Sequence, residues 1–301
     1  MRITLTGATG TIGSEVVREL RERGDEVTAL SRDAGRAQER LGVPAAEWKD
    51  PKAERPPLDV LRGRDAVVHL LGETIAQRWS PEAKREIRDS RILSTRMLVS
   101  ALGELGEDER PGVLVSQSAT GWYGPRGDER IDEDEPAGTD FVAQVVRDWE
   151  AEAKTAAQLG LRVALTRTGV VLAPGAGALE KMLPFFKLGI GGPVAGGAQY
   201  VPWVHLDDVS GAIVACLDGA TSGPVNVTAP EPVTNKELSK TLGRVLKRPA
   251  FAPIPALAVK TLYGEMAMIV TTGQRAIPKR LLEAGYGFRR PDLEPALRSA
   301  T

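Results

Sequence analysis

Three glycines near the start of the chain restrict the fold more than any other feature of the sequence. The short run Ile3–Leu5 favours a β-strand, and Gly7, Gly10 and Gly13 follow it at intervals of three residues. Apolar residues then recur at helical spacing, at Ile12, Val16, Val17 and Leu20. The sequence therefore predicts a strand, a tight turn and a helix in immediate succession.

A turn of this composition is suited to a pyrophosphate. Glycine tolerates the positive φ that a sharp turn after a strand needs. A phosphate can approach the backbone where no Cβ stands in the way, and the free N–H groups of the following helix attract anions. The Gly-x-x-Gly-x-x-Gly spacing, in this strand–helix context, predicts a dinucleotide site. The alternative is a glycine-rich turn that binds nothing.

The end of the second predicted strand distinguishes between two coenzymes. Residues 26–30 form that strand, and Ser31, Arg32 and Asp33 come next. Arg32 stands 19 residues beyond Gly13, near the position where an acidic residue would hold the ribose 2′-hydroxyl of NAD. A hydroxyl and a guanidinium suit a 2′-phosphate instead, which favours NADP(H). The alternative is that Arg32 is a solvated loop charge and Asp33 takes the hydroxyl of NAD(H).

Composition excludes several classes of protein. The chain has 301 residues, a net charge of −1 and no basic block, so nucleic acid is not expected as a partner. Cys216 is the one cysteine, lies in an apolar stretch and is expected to be buried. No apolar run reaches the length of a membrane span, so we expect no membrane partner. A reducing, cytoplasmic location is expected.

The rest of the chain continues the alternation of strands and helices. Such alternation is typical of an α/β fold with a doubly wound parallel sheet of the Rossmann type. Further strands are predicted at 45–48, 65–71, 112–116, 161–167 and 224–228, and helices at 81–105, 140–159, 205–217, 235–246, 255–270 and 278–284.

A change of texture suggests how the chain is divided. Residues 173–197 are rich in glycine and proline and are predicted to form an irregular functional loop or lid. We expect residues 1–172 to form the nucleotide-binding domain, with 202–230 returning to it. Residues 173–201 and 231–301 are expected to form a smaller, mostly helical, substrate-side lobe.

With these landmarks placed, the chain resembles the short-chain dehydrogenase/reductase superfamily in its extended, epimerase-like branch. It is most similar to an atypical YfcH-like epimerase-family group, related to human short-chain dehydrogenase family 39U. The resemblance covers nearly the whole chain. The segments that carry it are 6–13, 68–75, 84–91, 116–124, 148–150, 167–172, 191–193, 202–208, 229–235 and 291–295.

The resemblance implies roles for particular residues. It places Ser31 and Arg32 at the 2′-phosphate, Ser116 and Val170 beside the nicotinamide, and Asp50 at the adenine. Arg78 would reach a phosphate or ribose. Around the pyrophosphate and beneath the cofactor it places Gly7, Thr9, Gly10, Thr11, Ile12, Gly13, Leu70, Leu71, Gly72 and Glu73. Each of these positions is expected near a carboxyl end of a strand, where open α/β sheets bind ligands.

The superfamily's usual catalytic pair is missing. It consists of Tyr-x-x-x-Lys, in which the lysine lowers the tyrosine pKa. None of the four tyrosines has a lysine four residues later, and residues 141–146 are mostly apolar where the pair should open its helix. Ser118 and Tyr123 remain as catalytic candidates. Their alternatives are a turn serine bonded to its own backbone and an aromatic prop with a satisfied hydroxyl.

Other reactive residues are expected to be structural. His205 would fix the start of its helix, and His69 would lie in the core. Two histidines and one cysteine make no metal site. Glu150 is expected to be a solvated or paired charge. Catalysis by a metal is therefore not expected.

Three functions follow from these features. The first is an NADP(H)-binding oxidoreductase-like protein acting on an unknown small substrate, since the hydride step is the cofactor's chemistry. The second is a non-catalytic NADP(H)-binding redox sensor or scaffold. The third is a nucleotide-sugar epimerase or dehydratase, which the missing acid–base pair weakens. By resemblance, the long helices near 82–105 and 140–159 are candidates for a homodimer interface.

Overall fold

The structure, a computed structural model, describes residues 1–301 and consists of alternating strands and helices. The strands are β1 (Arg2–Thr6), β2 (Glu26–Ser31), β3 (Ala45–Glu47), β4 (Ala66–His69), β5 (Val113–Ala119), β6 (Arg130–Ile131), β7 (Arg162–Thr168), β8 (Val170–Leu172), β9 (Tyr200–Val201), β10 (Trp203–His205), β11 (Gly223–Val227), β12 (Val233–Thr234) and β13 (Arg275–Ala276). The helices are α1 (Thr11–Arg23), α2 (Ala34–Leu41), α3 (Pro81–Glu104), α4 (Phe141–Lys154), α5 (Gly177–Lys187), α6 (Leu206–Asp218), α7 (Asn235–Leu246), α8 (Ala256–Tyr263), α9 (Ala267–Thr271), α10 (Lys279–Glu283) and α11 (Leu293–Ala300).

Seven parallel strands form one central sheet in the order β11-β7-β5-β4-β1-β2-β3. Strand order reverses between β1 and β4, the switch point at which open α/β sheets bind ligands. The sheet confirms the predicted Rossmann-type, doubly wound fold. The remaining strands form three two-stranded pairs, β8–β10, β9–β12 and β6–β13.

Apolar cores cover both faces of the sheet. Val68 and Val115 belong to the core beneath α1 and α6, while their neighbours Val67 and Leu114 belong to the core beneath α3. Successive residues of a strand point to opposite faces, so runs that are apolar at every position require burial on both sides. Cys216 is buried in the first core, as predicted, and burial raises its pKa to about 12.

A third core lies outside the sheet. It joins α5, α7 and α11 through Leu179, Phe186, Leu242 and Leu297, and it includes Trp203. None of the helices combines the length and the apolar character needed to cross a lipid bilayer.

Two sequence predictions about the second half of the chain were wrong. Residues 173–197 were predicted to be irregular, but they contain α5, which tolerates Pro184 because Leu179 and Phe186 are buried in the third core. A single helix was predicted over 255–270. Gly264, at φ +62°, divides it into α8 and α9, because this backbone conformation cannot continue a helix.

Replacement of Gly13 by alanine should destabilise the protein by about 3 kcal/mol or more, because the new Cβ would lie 2.2 Å from the Gly7 carbonyl oxygen. Gly103 is also helical, and a Cβ there meets only Leu159 at 3.7 Å. Gly103→Ala should therefore stabilise by about 0.5 kcal/mol. Midpoints of urea unfolding test both variants. Equal midpoints would show that the Gly7–Gly13 contact is not tight.

Candidate functional site

The turn between β1 and α1 is built on a close approach of backbone to backbone. Gly7 has φ +68°, and a Cβ there would lie 2.7 Å from the carbonyl oxygen of Leu70. Gly13 packs against Gly7 still more closely. Gly10 precedes α1 and provides no side-chain cap, so the first N–H groups of the helix have no side-chain acceptor. These groups are available to an anion.

A cavity of about 230 Å³ opens beside this turn. It brings together five of the predicted cofactor residues: Gly7, Thr9, Ser31, Arg32 and Leu71. The remaining lining residues are Leu30, Asp33, Arg36, Ala37, Arg40, Trp48 and Pro51. The lining therefore combines apolar residues, among them the buried Trp48, with cationic residues.

Three arginines supply the guanidinium groups of the lining. They are Arg32, which follows β2, and Arg36 and Arg40 on α2. None of the three forms an ion pair, although most other arginines of the chain do. The carboxylate of Asp33 lies nearby but accepts the backbone N–H of Arg36 at 2.9 Å, which caps α2. With three guanidinium groups and one carboxylate, the lining of the cavity has an excess of positive charge.

Four predicted residues, Gly10, Thr11, Ile12 and Gly13, lie in the turn and the first turn of α1 rather than among the cavity-lining residues. Leu70, Gly72 and Glu73 follow β4. The Leu70 N–H donates to the Thr6 carbonyl, and the Glu73 N–H donates to the Ser90 hydroxyl at 3.0 Å. Arg91, which sequence reasoning missed, donates to the Glu73 carbonyl and holds this loop against α3.

Four other predicted residues lie apart from the cavity. Asp50 accepts the Lys52 N–H in a tight turn, and its neighbour Pro51 lines the cavity instead. Arg78 is exposed and lies beside Gly264. Ser116 is fully buried within β5, and Val170 begins β8. The structure therefore gathers the adenosine end of the predicted site but does not gather all of its residues around one cavity.

The two catalytic candidates lie in a buried polar network. Ser118 donates to Glu150 at 2.7 Å, and Glu150 pairs with Arg167 at 2.8 Å. The Tyr123 hydroxyl donates to Asn226 and accepts from Arg167. Burial raises the pKa of Tyr123 to about 12. The geometry favours the alternative in which Tyr123 is a structural aromatic residue whose hydroxyl is satisfied locally.

This network explains how the charges of Glu150 and Arg167 are held in the interior. Both side chains are almost completely buried, at 1% and 2% exposure, and the Arg167 guanidinium lies 4.0 Å from the Trp122 ring centre. Glu150 was predicted to be either solvated or paired, and it is paired. A buried carboxylate and a buried guanidinium are stable only when each satisfies the other.

Apolar side chains occupy the place where the tyrosine–lysine pair should open its helix. Phe141, the first residue of α4, packs edge-on against Trp79 with 5.2 Å between ring centres. Met266 and Tyr263 from the C-terminal segment join the same cluster. This end of α4 therefore holds packing residues rather than an acid and a base.

Both histidines are structural. His69 is fully buried between Thr6 and Thr95, and burial lowers its pKa to about 3. His205 is the N-cap of α6 and fixes the start of this helix, as predicted, with Nδ1 accepting the Asp207 N–H. Its Nε2 lies 3.1 Å from the Ser299 hydroxyl. Because Nδ1 is an acceptor, the neutral ring carries its proton on Nε2 and cannot deprotonate that serine.

Comparison with known proteins agrees with the fold. The model of the NAD dependent epimerase/dehydratase family matches residues 3–228, and a domain of unknown function (DUF1731) matches residues 254–300. The fold and the family match together define the class of this protein, which is a Rossmann-type nucleotide-binding protein of the epimerase class. The chain belongs to the NAD dependent epimerase/dehydratase family.

Particular relatives can be named within this family. The chain is 39% identical to the chloroplastic SDR39U1 homolog of Arabidopsis thaliana, over 99% of this chain and 86% of the relative. It is 36% identical to Homo sapiens epimerase family protein SDR39U1, over 99% of each. The crystal structure of human SDR39U1 (isoform 2) with NADPH matches at a TM-score of 0.88 and 34% identity, covering 100% of this chain and 99% of that one.

Replacement of Glu150 by glutamine should destabilise the protein by about 3–5 kcal/mol, because it leaves the buried Arg167 without a counter-charge. Glu152, on the same helix, pairs with Arg96, which is half-exposed. Glu152→Gln should cost at most about 1 kcal/mol. Chemical denaturation measures both. Similar losses of unfolding free energy in the two variants would show that the buried Glu150–Arg167 pair contributes no more to stability than an exposed pair.

Proposed function

We propose that the chain binds NADP(H) in the cavity beside the β1–α1 turn and prefers it to NAD(H). The observation that carries this proposal is the set of three unpaired guanidinium groups, Arg32, Arg36 and Arg40. Cations that line one cavity repel one another, and the single carboxylate of Asp33 does not balance three guanidinium groups. A phosphate monoester with a charge of about −1.5 to −2 would relieve this repulsion and accept hydrogen bonds from the guanidinium groups.

The position of Asp33 supports the same preference. In the NAD(H) alternative, this carboxylate would accept the ribose 2′-hydroxyl. Here it caps α2 instead, and capping residues contribute about 1 kcal/mol to helix stability. Ser31 lines the cavity and has a hydroxyl for the phosphate. A carboxylate already used by the helix is a poor competitor for the ribose.

The rest of the nucleotide would lie along the turn and the apolar side of the cavity. The adenine would contact Leu30, Trp48 and Pro51, and the pyrophosphate would approach Gly10 and the uncapped N–H groups of α1. The human relative crystallised with NADPH has the same fold over its whole length. That likeness supports NADPH as the coenzyme of this chain.

We also propose the division into a nucleotide-binding part and a substrate-side lobe that the sequence predicts. Residues 1–172 with 202–230 would hold the nucleotide, and residues 173–201 with 231–301 would form the substrate side. The third core, which links α5, α7 and α11, supports a distinct substrate lobe, and Leu172, Trp203 and Ala229 join it to the nucleotide-binding part. Ser116 and Val170 would lie on the nicotinamide side, where β5 and β8 approach this lobe.

The function that these features favour is that of an NADP(H)-binding oxidoreductase-like protein with an unknown small substrate. Bound NADP(H) supplies or accepts the hydride. The chain's contribution is to bind and orient the coenzyme, since Ser118 and Tyr123 are committed to the buried network. This commitment also favours the second candidate, a non-catalytic NADP(H)-binding sensor. Coenzyme oxidation in the presence of a panel of carbonyl compounds and sugars distinguishes the two.

Arg32→Ala and Arg36→Ala should each weaken NADPH binding by roughly tenfold to a hundredfold, the value of a charge-assisted hydrogen bond. NADH binding should change little, because NADH has no 2′-phosphate. Isothermal titration calorimetry with both coenzymes provides the measurement. Arg85→Ala, an exposed arginine on α3, is the matched control and should bind both coenzymes as the parent does. Equal losses for the two coenzymes would refute the 2′-phosphate assignment.

A further inference from the structure

Six large apolar side chains are exposed on the smaller lobe. Phe251, Leu257 and Leu188 are 83%, 75% and 74% exposed. The others are Phe185, Ile190 and Leu262. The chain has only ten exposed apolar side chains of this size, so most of them are concentrated in two short segments. We call these six residues the apolar patch.

The two segments of the apolar patch run side by side. Val194 pairs with Ile254, and two backbone hydrogen bonds of 2.8 and 2.9 Å join residues 193–195 to Ile254. The Arg248 side chain donates to the Lys187 carbonyl at 3.0 Å. Residues about 60 positions apart in the sequence thus lie in adjacent segments of the structure.

The apolar patch is presented on a stiff support. Pro249, Pro253 and Pro255 surround Phe251, and proline restricts φ. In α8, which follows, Val259 is the one buried residue. A helix in a soluble core buries a full stripe of its surface, whereas α8 leaves Leu257 and Leu262 outside. Exposed apolar side chains concentrated in this way mark an interaction site.

Unpaired cations accompany the apolar patch. Lys187, Lys247, Arg248 and Lys260 lie within or beside its two segments, and none of them forms an ion pair. Residues 235–263 contain six basic side chains and one acidic side chain, although the whole chain has a net charge of −1. The positive charge of the lobe is therefore local and lies next to the exposed apolar side chains.

We propose that the apolar patch docks onto an anionic lipid membrane surface. Phenylalanine and leucine side chains insert at the boundary of headgroups and acyl chains, and flanking lysine and arginine side chains are attracted to anionic headgroups. The combination of exposed apolar anchors with unpaired cations matches both requirements. The cavity that we assign to NADP(H) shares no lining residue with the patch.

A second copy of the chain fits this surface less well. A twofold interface places the same surface on both sides, so the cations beside the patch, Lys187 and Arg248 among them, would be brought into one interface from both copies. Like charges brought together at an interface oppose association. An acidic lipid surface has the complementary charge.

This proposal departs from the expectation, drawn from the sequence, that the chain has no membrane partner. That expectation rested on the lack of a continuous apolar run, and no helix of the structure can cross a bilayer. Surface attachment needs no such run. The apolar patch forms from two separate segments, so no single window of the sequence contains it.

Vesicle co-sedimentation with the full chain tests the proposal. The protein should sediment with vesicles that contain phosphatidylglycerol and stay in solution with vesicles of phosphatidylcholine alone. Added NaCl should weaken the association. The double variant Phe251→Ser/Leu257→Ser should lower binding by about tenfold. Lys187→Gln/Lys260→Gln should lower it as well, because both cations lie at the patch.

Matched controls separate docking from general effects. Leu282→Ser removes a leucine side chain like that of Leu257, and this side chain is 48% exposed on α10. Lys49→Gln removes an exposed charge that is distant in sequence from both segments of the patch. Both should bind vesicles as the parent does, and thermal melting checks that every variant is folded. No sedimentation with anionic vesicles would overturn the proposal. So would a dimer in sedimentation velocity that Phe251→Ser/Leu257→Ser converts to monomer.

Discussion

The contact between Gly7 and Gly13 is the constraint on which the nucleotide site depends. With no side chain at either position, α1 begins directly against the end of β1 and below the carbonyl of Leu70. The helix N-terminus therefore meets the sheet at its switch point, with N–H groups that no side chain caps. The same turn contributes Gly7 and Thr9 to the lining of the cavity, α2 adds Arg36 and Arg40, and the segment after β2 adds Arg32.

The second constraint is a buried ion pair. The Glu150–Arg167 pair stabilises the interior between α4 and β7, and it draws Ser118 and Tyr123 into its hydrogen-bond network. Where an acid–base pair would open α4, Phe141 and Trp79 pack together. The chain thus combines a charged coenzyme cavity with a tightly packed interior. The charged cavity indicates which coenzyme the chain prefers, whereas the packed interior presents no free acid or base that would indicate the reaction.

Local patterns predicted most of the fold, because buried strands and amphipathic helices leave periodic signatures in the sequence. The same holds for Gly7, Ser31 and Arg32, whose roles depend on neighbours in sequence. Arg36 and Arg40 were missed since arginines on a short helix resemble a solvated face, and only the position of α2 turns them toward the cavity. The helix α5 was missed because its stability comes from Leu179 and Phe186 in a long-range core.

Phosphorus NMR of the bound coenzyme tests the central claim most directly. The 2′-phosphate of free NADPH titrates as an ordinary phosphate monoester, with a second pKa of about 6. Held among Arg32, Arg36 and Arg40, it should remain dianionic well below that pH, because three guanidinium groups favour the more negative form. A titration curve of the bound 2′-phosphate that matches that of the free coenzyme would contradict the account.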